Sequence, residues 1–443
     1  MKLWQKNTSL NKQVETFTVG KDRELDIWLA PYDVIGSMAH ATMLEKVGLL
    51  TEEEKDTLLS GLKTILTEIE NGKFEIADGV EDVHSQVEFL LTERLGDVGK
   101  KLHMGRSRND QVLLDLKMFF RAEIWELAKH IEQLSDTLIA QSNKFKDVLM
   151  PGYTHMQVAM PSSFGLWFGA YAESLVDDLV VLHGAYEVSN RNPLGSAAGY
   201  GASFPLDRKM TTELLGFDDL SWNVVYAQMG RGKTELIIAN AIATVATTLS
   251  KLAMDTCMFA GQNFGFFKFP DELTTGSSIM PHKKNPDVME LVRAKCHQLA
   301  ALPAQVLAIT AGLPSGYHRD FQQVKEVLLP AFGMLHDCLE MTRMMMESAE
   351  VNPDLLSAPI YDYLFSVEDV NNLVLQGIPF RDAYKQVGMM IEEGKYTPSR
   401  KVNHTHEGSI GNLCNDKINA KTTQALERFG YTKIEKILTA LQK

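Results

Sequence analysis

The sequence predicts an all-α protein: a long central helical bundle with small helical domains on its N- and C-terminal sides. Three observations point there. Apolar residues recur every three or four positions over long stretches, as the buried stripe of a bundled helix requires. Strand-like alternation is scarce, and its best candidate, Trp222 to Tyr226, is short. Glycine (31) and proline (15) are too few in 443 residues for a loop-dominated chain. A chain this long exceeds one ordinary core, so several domains are expected. The rhythm of the breaks places them at 1–104, 105–350 and 351–443.

The elements follow in order. Leu113, Leu116, Phe120, Ile124, Leu127, Ile131, Leu134 and Leu138 mark one long helix. Ile238, Ile242, Val245, Leu249 and Leu252 mark a second. Leu299, Leu302, Val306 and Ile309 mark a third, and Leu328, Ala331, Leu335, Cys338 and Met345 a fourth. These rows are longer than a monomer's bundle usually needs, so part of them is expected to face other subunits. Breaks fall at Gly96–Asp110, Met150–Pro161, Asn192–Asp207 and Gly265–Pro286. After Val351 the segments shorten, which marks the C-terminal domain.

Charge and cysteine usage exclude several functions. Lys and Arg number 44 against 57 Asp and Glu, a net charge of −13. General nucleic-acid binding needs a basic surface and is not expected. A local cationic pocket could still hold an anionic substrate. Cys257, Cys296, Cys338 and Cys414 form no CxxC pair and read as reduced thiols of a cytoplasmic protein, neither a disulfide framework nor a metal site. The N-terminal stretch to Phe17 lacks the apolar core of a secretory signal. No run approaches the ~18 uninterrupted apolar residues of a membrane span.

The chemistry is carried by short strings. Residues 275–287 read TGSSIMPHKKNPD, a flexible loop that can present hydroxyls, amides and ammonium groups to one anion before entering a helix at or after Pro286. Residues 102–111 read LHMGRSRNDQ, and 152–157 read GYTHMQ. Alone, Arg106 and Arg108 would be surface ion-pairing residues, and His155 a capped loop histidine.

The first string closely resembles the signature loop of the fumarase/aspartase superfamily of lyases. With the other two, and with Asn192-Pro193-Leu194-Gly195-Ser196, the chain resembles the argininosuccinate lyase family, which also includes the lens δ-crystallins. The likeness runs from about Phe17 to about Tyr384. It implies a fumarase/aspartase-like helical fold, a homotetramer with sites shared between chains, and elimination of arginine from argininosuccinate with release of fumarate. No cofactor and no metal are implied, and neither nucleic acid nor a membrane is an expected partner. In such chemistry a base removes the proton beside a carboxylate, and fixed donors stabilise the charge that develops there. The likeness makes His155 and Ser277 the acid/base pair. It leaves open which takes the proton and which protonates the leaving nitrogen, with Ser277 favoured as base. It assigns substrate contacts to Thr18, His84, Ser107, Arg108, Asn109, Thr154, Lys283, Asn285, Tyr317, Gln322 and Lys325. Glu88 is expected only to orient its neighbours.

The chain departs from the family at residues 227–234, AQMGRGKT, where Gly230 and Gly232 replace acids that usually flank the arginine. That leaves the ion pairing of Arg231 and the fit of the substrate's amino-acid end open. The same stretch imitates a degenerate phosphate loop through Ala227, Gly232, Lys233 and Thr234, but no βαβ unit surrounds it. His404 and His406 lack nearby ligands in sequence and read as solvated. Two rivals remain: another fumarate-releasing lyase, such as adenylosuccinate lyase, and a non-enzymatic crystallin-like protein. The HMGRSRND string argues against the first; intact Ser277, His155, Lys283 and Asn109 argue against the second.

Overall fold

The computed structural model describes residues 11–443; most of the stretch read for a signal segment lies outside them. The fold is helical. In the N-terminal part, α1 (Lys12–Val19) and α2 (Asp22–Lys46) are followed by α3 (Glu52–Glu70), α4 (Val83–Leu95) and the short α5 (Asp97–Lys101). Their apolar faces close on one another around Met38, Leu58, Leu62, Ile65, Val87 and Leu91. Leu114 and Met118 of the first bundle helix complete that core. The contact is close because residue 36 is glycine: a Cβ there would meet Leu114 Cδ2 at 2.6 Å.

The bundle starts with α6 (Arg108–Lys144), whose 37 residues open on a capping box between Ser107 and Asp110. Every position of the Leu113-to-Leu138 stripe is buried. The chain then turns through a hairpin, β1 (Leu149–Thr154) and β2 (Gln157–Ser163), and returns along α7 (Phe164–Ser189). Beyond α8 (Arg208–Leu214) and α9 (Val224–Met229), α10 (Lys233–Phe259) runs up again beside α7. The pair α11 (Asp287–Ala300) and α12 (Leu302–Thr310) descends, and α13 (Phe321–Glu347) rises parallel to α6. The parallel course follows from two contacts: Asn109 and Gln322 share one cleft at the helix starts, and Gln141 Nε2 donates to the Met346 carbonyl at 2.6 Å at the helix ends. These helices enclose one continuous core.

Short strand pairs tie the loops: β3 (Arg191–Asn192) with β4 (Asp219–Leu220), β5 (Phe267–Lys268) with β8 (Glu350–Val351), and β6 (Thr275–Gly276) with β7 (Lys284–Asn285). The short strand-like candidate at Trp222–Tyr226 forms no strand. Asn223 accepts from the amides of Val225 (2.9 Å) and Tyr226 (3.0 Å) and starts α9 instead. The hairpin at 149–163 escapes sequence reading because Pro151, Gly152 and Pro161 break the strand signal.

After Val351, α14 (Ser366–Leu375) and α15 (Phe380–Glu392) share a small core at Val370, Ala383 and Val387. In contrast, α16 (Asn415–Glu427) and α17 (Tyr431–Gln442) lay Ile418, Leu426, Tyr431 and Ile434 on the main core. By length and composition α10 could cross a membrane; half of its most apolar stretch is buried inside the protein. All four cysteines are free thiols.

Arg121 pins α6 to the segment after α8. Its buried guanidinium donates to Asn190 Oδ1 (3.0 Å), the Gly216 carbonyl (3.1 Å) and the Leu215 carbonyl (3.0 Å). It also lies 4.3 Å from the centre of the Phe217 ring. Replacing it with methionine strips three buried acceptors of their donor, at about 1–3 kcal/mol each. Arg121→Met should therefore lower the stability read from urea unfolding by at least ~3 kcal/mol. Lys129→Met, which breaks only the exposed pair with Glu126, should change it by less than about 1 kcal/mol. Equal effects would remove Arg121 from this role.

Candidate active site

Six of the expected residues line one cleft of about 270 Å³: His84, Arg108, Asn109, Tyr317, Gln322 and Lys325. The starts of α6 and α13 meet α2 and α4 there. Sequence reading missed its other walls, Asp22 and Asp26 of α2, Glu81 and Asp82 before α4, and Arg319. A signal was present: Asp22, Asp26 and Asp33 are spaced by four and seven, one acidic row along an otherwise apolar helix face.

The cleft's cations are pre-paired. Lys325 Nζ lies 2.6 Å from Asp22 and 2.7 Å from Asp26, and its side chain is 6% exposed. Burial opposes its charge, but the two carboxylates outweigh burial and hold the ammonium above the ordinary lysine range. Burial pushes Asp22 up to about 6, against the pull of Lys325. Arg108 bonds Glu81 (3.1 Å) and Ser85 (2.8 Å) and faces Asp82 at 3.3 Å. Arg319 pairs with the other oxygen of Glu81. Gln322 Nε2 donates to the carbonyls of Thr18 (3.0 Å) and Val19 (2.6 Å), clamping the end of α1 to α13. The Thr18 hydroxyl is turned into its own helix, donating to the Val14 carbonyl at 2.8 Å, and Thr18 does not line the cleft. The Ser107 hydroxyl accepts from the Asn109 amide at 3.3 Å as a helix cap. The Asn109 side chain has no hydrogen-bond partner among the described residues and lines the cleft. Glu88 also stands outside the cleft, with its carboxylate 3.5 Å from His103 Nδ1.

Beneath the cleft, His84 Nδ1 lies 2.9 Å from Asp33 and 3.4 Å from Asp115. The three donor atoms fall within 4.8 Å of one another. The ring is itself the cation of this group: burial disfavours its charge, but Asp33 and Asp115 outweigh burial and push His84 up to about 10.

Thr154 and His155 lie elsewhere, at the exposed tip of the β1–β2 hairpin. Both tip residues are left-handed, His155 at φ 54° and Met156 at φ 59°, in the sense a two-residue hairpin demands and usually meets with Asn-Gly. Non-glycine residues held there store strain, a feature that clusters at functional sites. Ser277, Lys283 and Asn285 lie on the third patch, the loop closed by β6 and β7. Ser277 Oγ accepts from the amides of Met280 (3.1 Å) and Ile279 (3.4 Å), donors that would stabilise a developing alkoxide. Lys283 is exposed with no ion-pair partner among the described residues, whereas Lys284 is tied to Asp271. Asn285 Nδ2 reaches Thr275 Oγ1 at 3.4 Å.

These patches sit at opposite ends of the molecule. The cleft is at the start of α6, while the hairpin follows its far end, after 37 helical residues or about 55 Å. The Ser277 loop lies between the end of α10 and the start of α11, again away from the cleft.

The local charge question at Arg231 is answered by Glu235, one turn on. Arg231 Nε bonds Glu235 at 3.0 Å, both side chains nearly fully buried. Glu235's second oxygen takes the Gly232 amide at 2.7 Å, so a carboxylate already occupies the helix start that imitates a phosphate loop. Gly232 is at φ 77°, and a Cβ would meet Thr310 Cγ2 at 2.8 Å, which excludes the family's acid from this packing. His404 has a carboxylate partner the sequence did not suggest, Glu368 at 2.9 Å.

A lyase family profile matches residues 10–300. The chain is 63% identical over 440 residues to the argininosuccinate lyase of Bacteroides thetaiotaomicron, covering 99% of both. It is 64% identical to that of Parabacteroides distasonis (98% of this chain, 97% of the relative) and 37% identical to that of Thermotoga neapolitana (87% and 97%). Among solved structures, an EDDS lyase in complex with formate superposes with a TM-score of 0.79 at 22% identity, covering 98% and 94%. The class II fumarase of Schistosoma mansoni gives 0.71 at 17%, covering 86% and 89%. The structures fix the fold; the full-length identities fix the family, and the chain belongs to the argininosuccinate lyases.

Proposed function

We propose that this chain is a carbon–nitrogen lyase of arginine biosynthesis that reversibly cleaves argininosuccinate to L-arginine and fumarate. The observation that carries the reading is the identity of more than 60% to argininosuccinate lyases over nearly the whole chain. One of His155 and Ser277 takes the Cβ proton, for which Ser277 is favoured by its two amide donors. Electrons left on carbon spread into the neighbouring carboxylate, where Lys283, Asn285 and the cleft's donors balance the charge. The other member of the pair protonates the departing guanidinium nitrogen. Asn109, Tyr317, Gln322 and Lys325 hold substrate in the cleft, with His84 and Arg108 in its wall, Ser107 and Thr18 behind it, and Thr154 brought with His155 from another subunit. We place the enzyme in the cytoplasm and keep 1–104, 105–350 and 351–443 as its domains.

The working enzyme is a homotetramer with shared sites. Two features support this. The cleft and the His155 hairpin are separated by the length of α6, so they cannot meet within one chain. The bundle also leaves Val180, Met254, Leu291 and Leu307 about half exposed or more, apolar surface of the kind that marks an interface.

Argininosuccinate should release fumarate, followed by ultraviolet absorbance, and adenylosuccinate should not. Ser277→Ala should lower kcat by ~10²–10⁴ or more with little change in KM, while Ser278→Ala is milder; the reverse order would shift the loop's roles by one residue. Refolding mixed His155→Asn and Ser277→Ala subunits should restore part of the activity, and mixtures as dead as either parent would argue for sites built within one chain. Lys325→Met would leave Asp22 and Asp26 together without their cation, raising the folded-state pKa of Asp22 further. A raised carboxylate contributes stability at low pH that is lost as pH rises through its folded value. The variant's thermal deficit should thus be large at pH 8, about 3–5 kcal/mol, and shrink by pH 5; a pH-independent deficit would contradict the pairing.

A further inference from the structure

Asp33 and Asp115 belong to no substrate contact, yet both are almost fully buried, at 2% and 0% exposure, and both face the same nitrogen of a residue that lines the cleft. They come from different helices, α2 and α6, and His84 from a third, α4. We propose that Asp33 and Asp115 are positioning residues that hold His84 by its Nδ1–H, so that Nε2–H is presented to the cleft as a fixed cationic donor for a carboxylate of the substrate's succinyl half. This rests on the lyase reading above.

The geometry carries the argument. The Nδ1 side is taken by Asp33 at 2.9 Å with Asp115 behind it at 3.4 Å. Nε2 has no partner among the described residues, and the ring forms part of the cleft wall. Around it stand Asp26 and Asp33 of α2, Glu81 and Asp82 before α4, Glu88 of α4, Arg108 and Asp115 of α6, and His103 and Arg106 ahead of α6. Burial, then the nearby Asp33, pushes the Asp115 carboxyl well up while His84 pulls it down. A protonated His84 donates its Nδ1–H to Asp33, with Asp115 close behind. This leaves one cationic N–H pointing out. Unlike Arg108 and Lys325, whose charges are spent on Glu81, Asp82, Asp22 and Asp26 within the cleft, His84 takes its counter-charge from below.

The test is the pH profile of kcat/KM for argininosuccinate. Asp33→Asn should lower it by roughly 10–100-fold at neutral pH. The variant should also gain an alkaline limb near the ordinary histidine range, about 6.5, because its imidazolium is now lost as pH rises. Asp33→Glu should restore part of the rate and remove the new limb. A variant profile parallel to wild type would overturn the proposal. Ring-¹⁵N-labelled histidine, with His84→Gln to assign the signal, reads the charge directly in the wild-type protein. An imidazolium at pH 8 is expected, and a neutral ring there would overturn the proposal even if Asp33→Asn failed to fold. A wild-type protein that releases no fumarate would instead overturn the lyase reading, and the ring signal would still decide the charge of His84.

Discussion

Where α2, α4 and α6 cross, Asp33, His84 and Asp115 have almost no contact with solvent, and none of the three charges could stay there alone. An isolated buried carboxylate would take up a proton, and an isolated imidazole would lose one. Packed together, His84 bonds Asp33 with Asp115 behind it, and the group forms the floor of the cleft above. At the crossing residue 36 is glycine, and a Cβ there would meet Leu114 Cδ2 at 2.6 Å, so that side chain would have to shift. Farther along α2, Asp22 and Asp26 hold Lys325 at the start of α13.

The three patches are built in different ways, in keeping with different tasks. The cleft is a network of buried, mutually paired charges that a substrate must enter without rearranging. The hairpin tip is strained but exposed, and it holds His155 out from the protein. The loop of Ser277 is the least anchored, held by two-residue strands and by Thr275 on Asp287. A loop of that kind can close over a bound anion.

How much was legible in the sequence depends on the range of the information. The Leu113–Leu138 stripe was readable because helical burial repeats locally, every three to four residues. The strings around Asn109, His155 and Ser277 were readable because their residue order is itself specific. Their separation in space was not, since it depends on the running direction and length of helices packed far apart in sequence. Asp33 shared a helical row with Asp22 and Asp26, but its partner Asp115 stayed hidden until His84, from a third helix, was placed between them. The missing acids beside Arg231 looked like a loss of pairing. In the fold, Glu235 supplies the carboxylate from the following turn, a substitution across four positions that a residue-by-residue comparison cannot register.

The long helices acquire a reason from the division of the site. In the proposed assembly, two bundles related by a two-fold axis across their length run antiparallel, so the cleft end of one lies beside the hairpin end of the other. Each such contact is self-complementary and yields two equivalent sites. The span of α6 is then the distance that must be bridged, and it must match on both chains for both sites to close. Shortening α6 by one turn would move the hairpin by about 5.4 Å relative to the cleft and turn it by about 100° per residue removed beyond a whole turn. In that assembly both the length and the phase of α6 bear on how the two patches meet. The apolar rows read from the sequence are already almost entirely buried within one chain, so the surface left for such a contact is the exposed Val180, Met254, Leu291 and Leu307 on the bundle's helices.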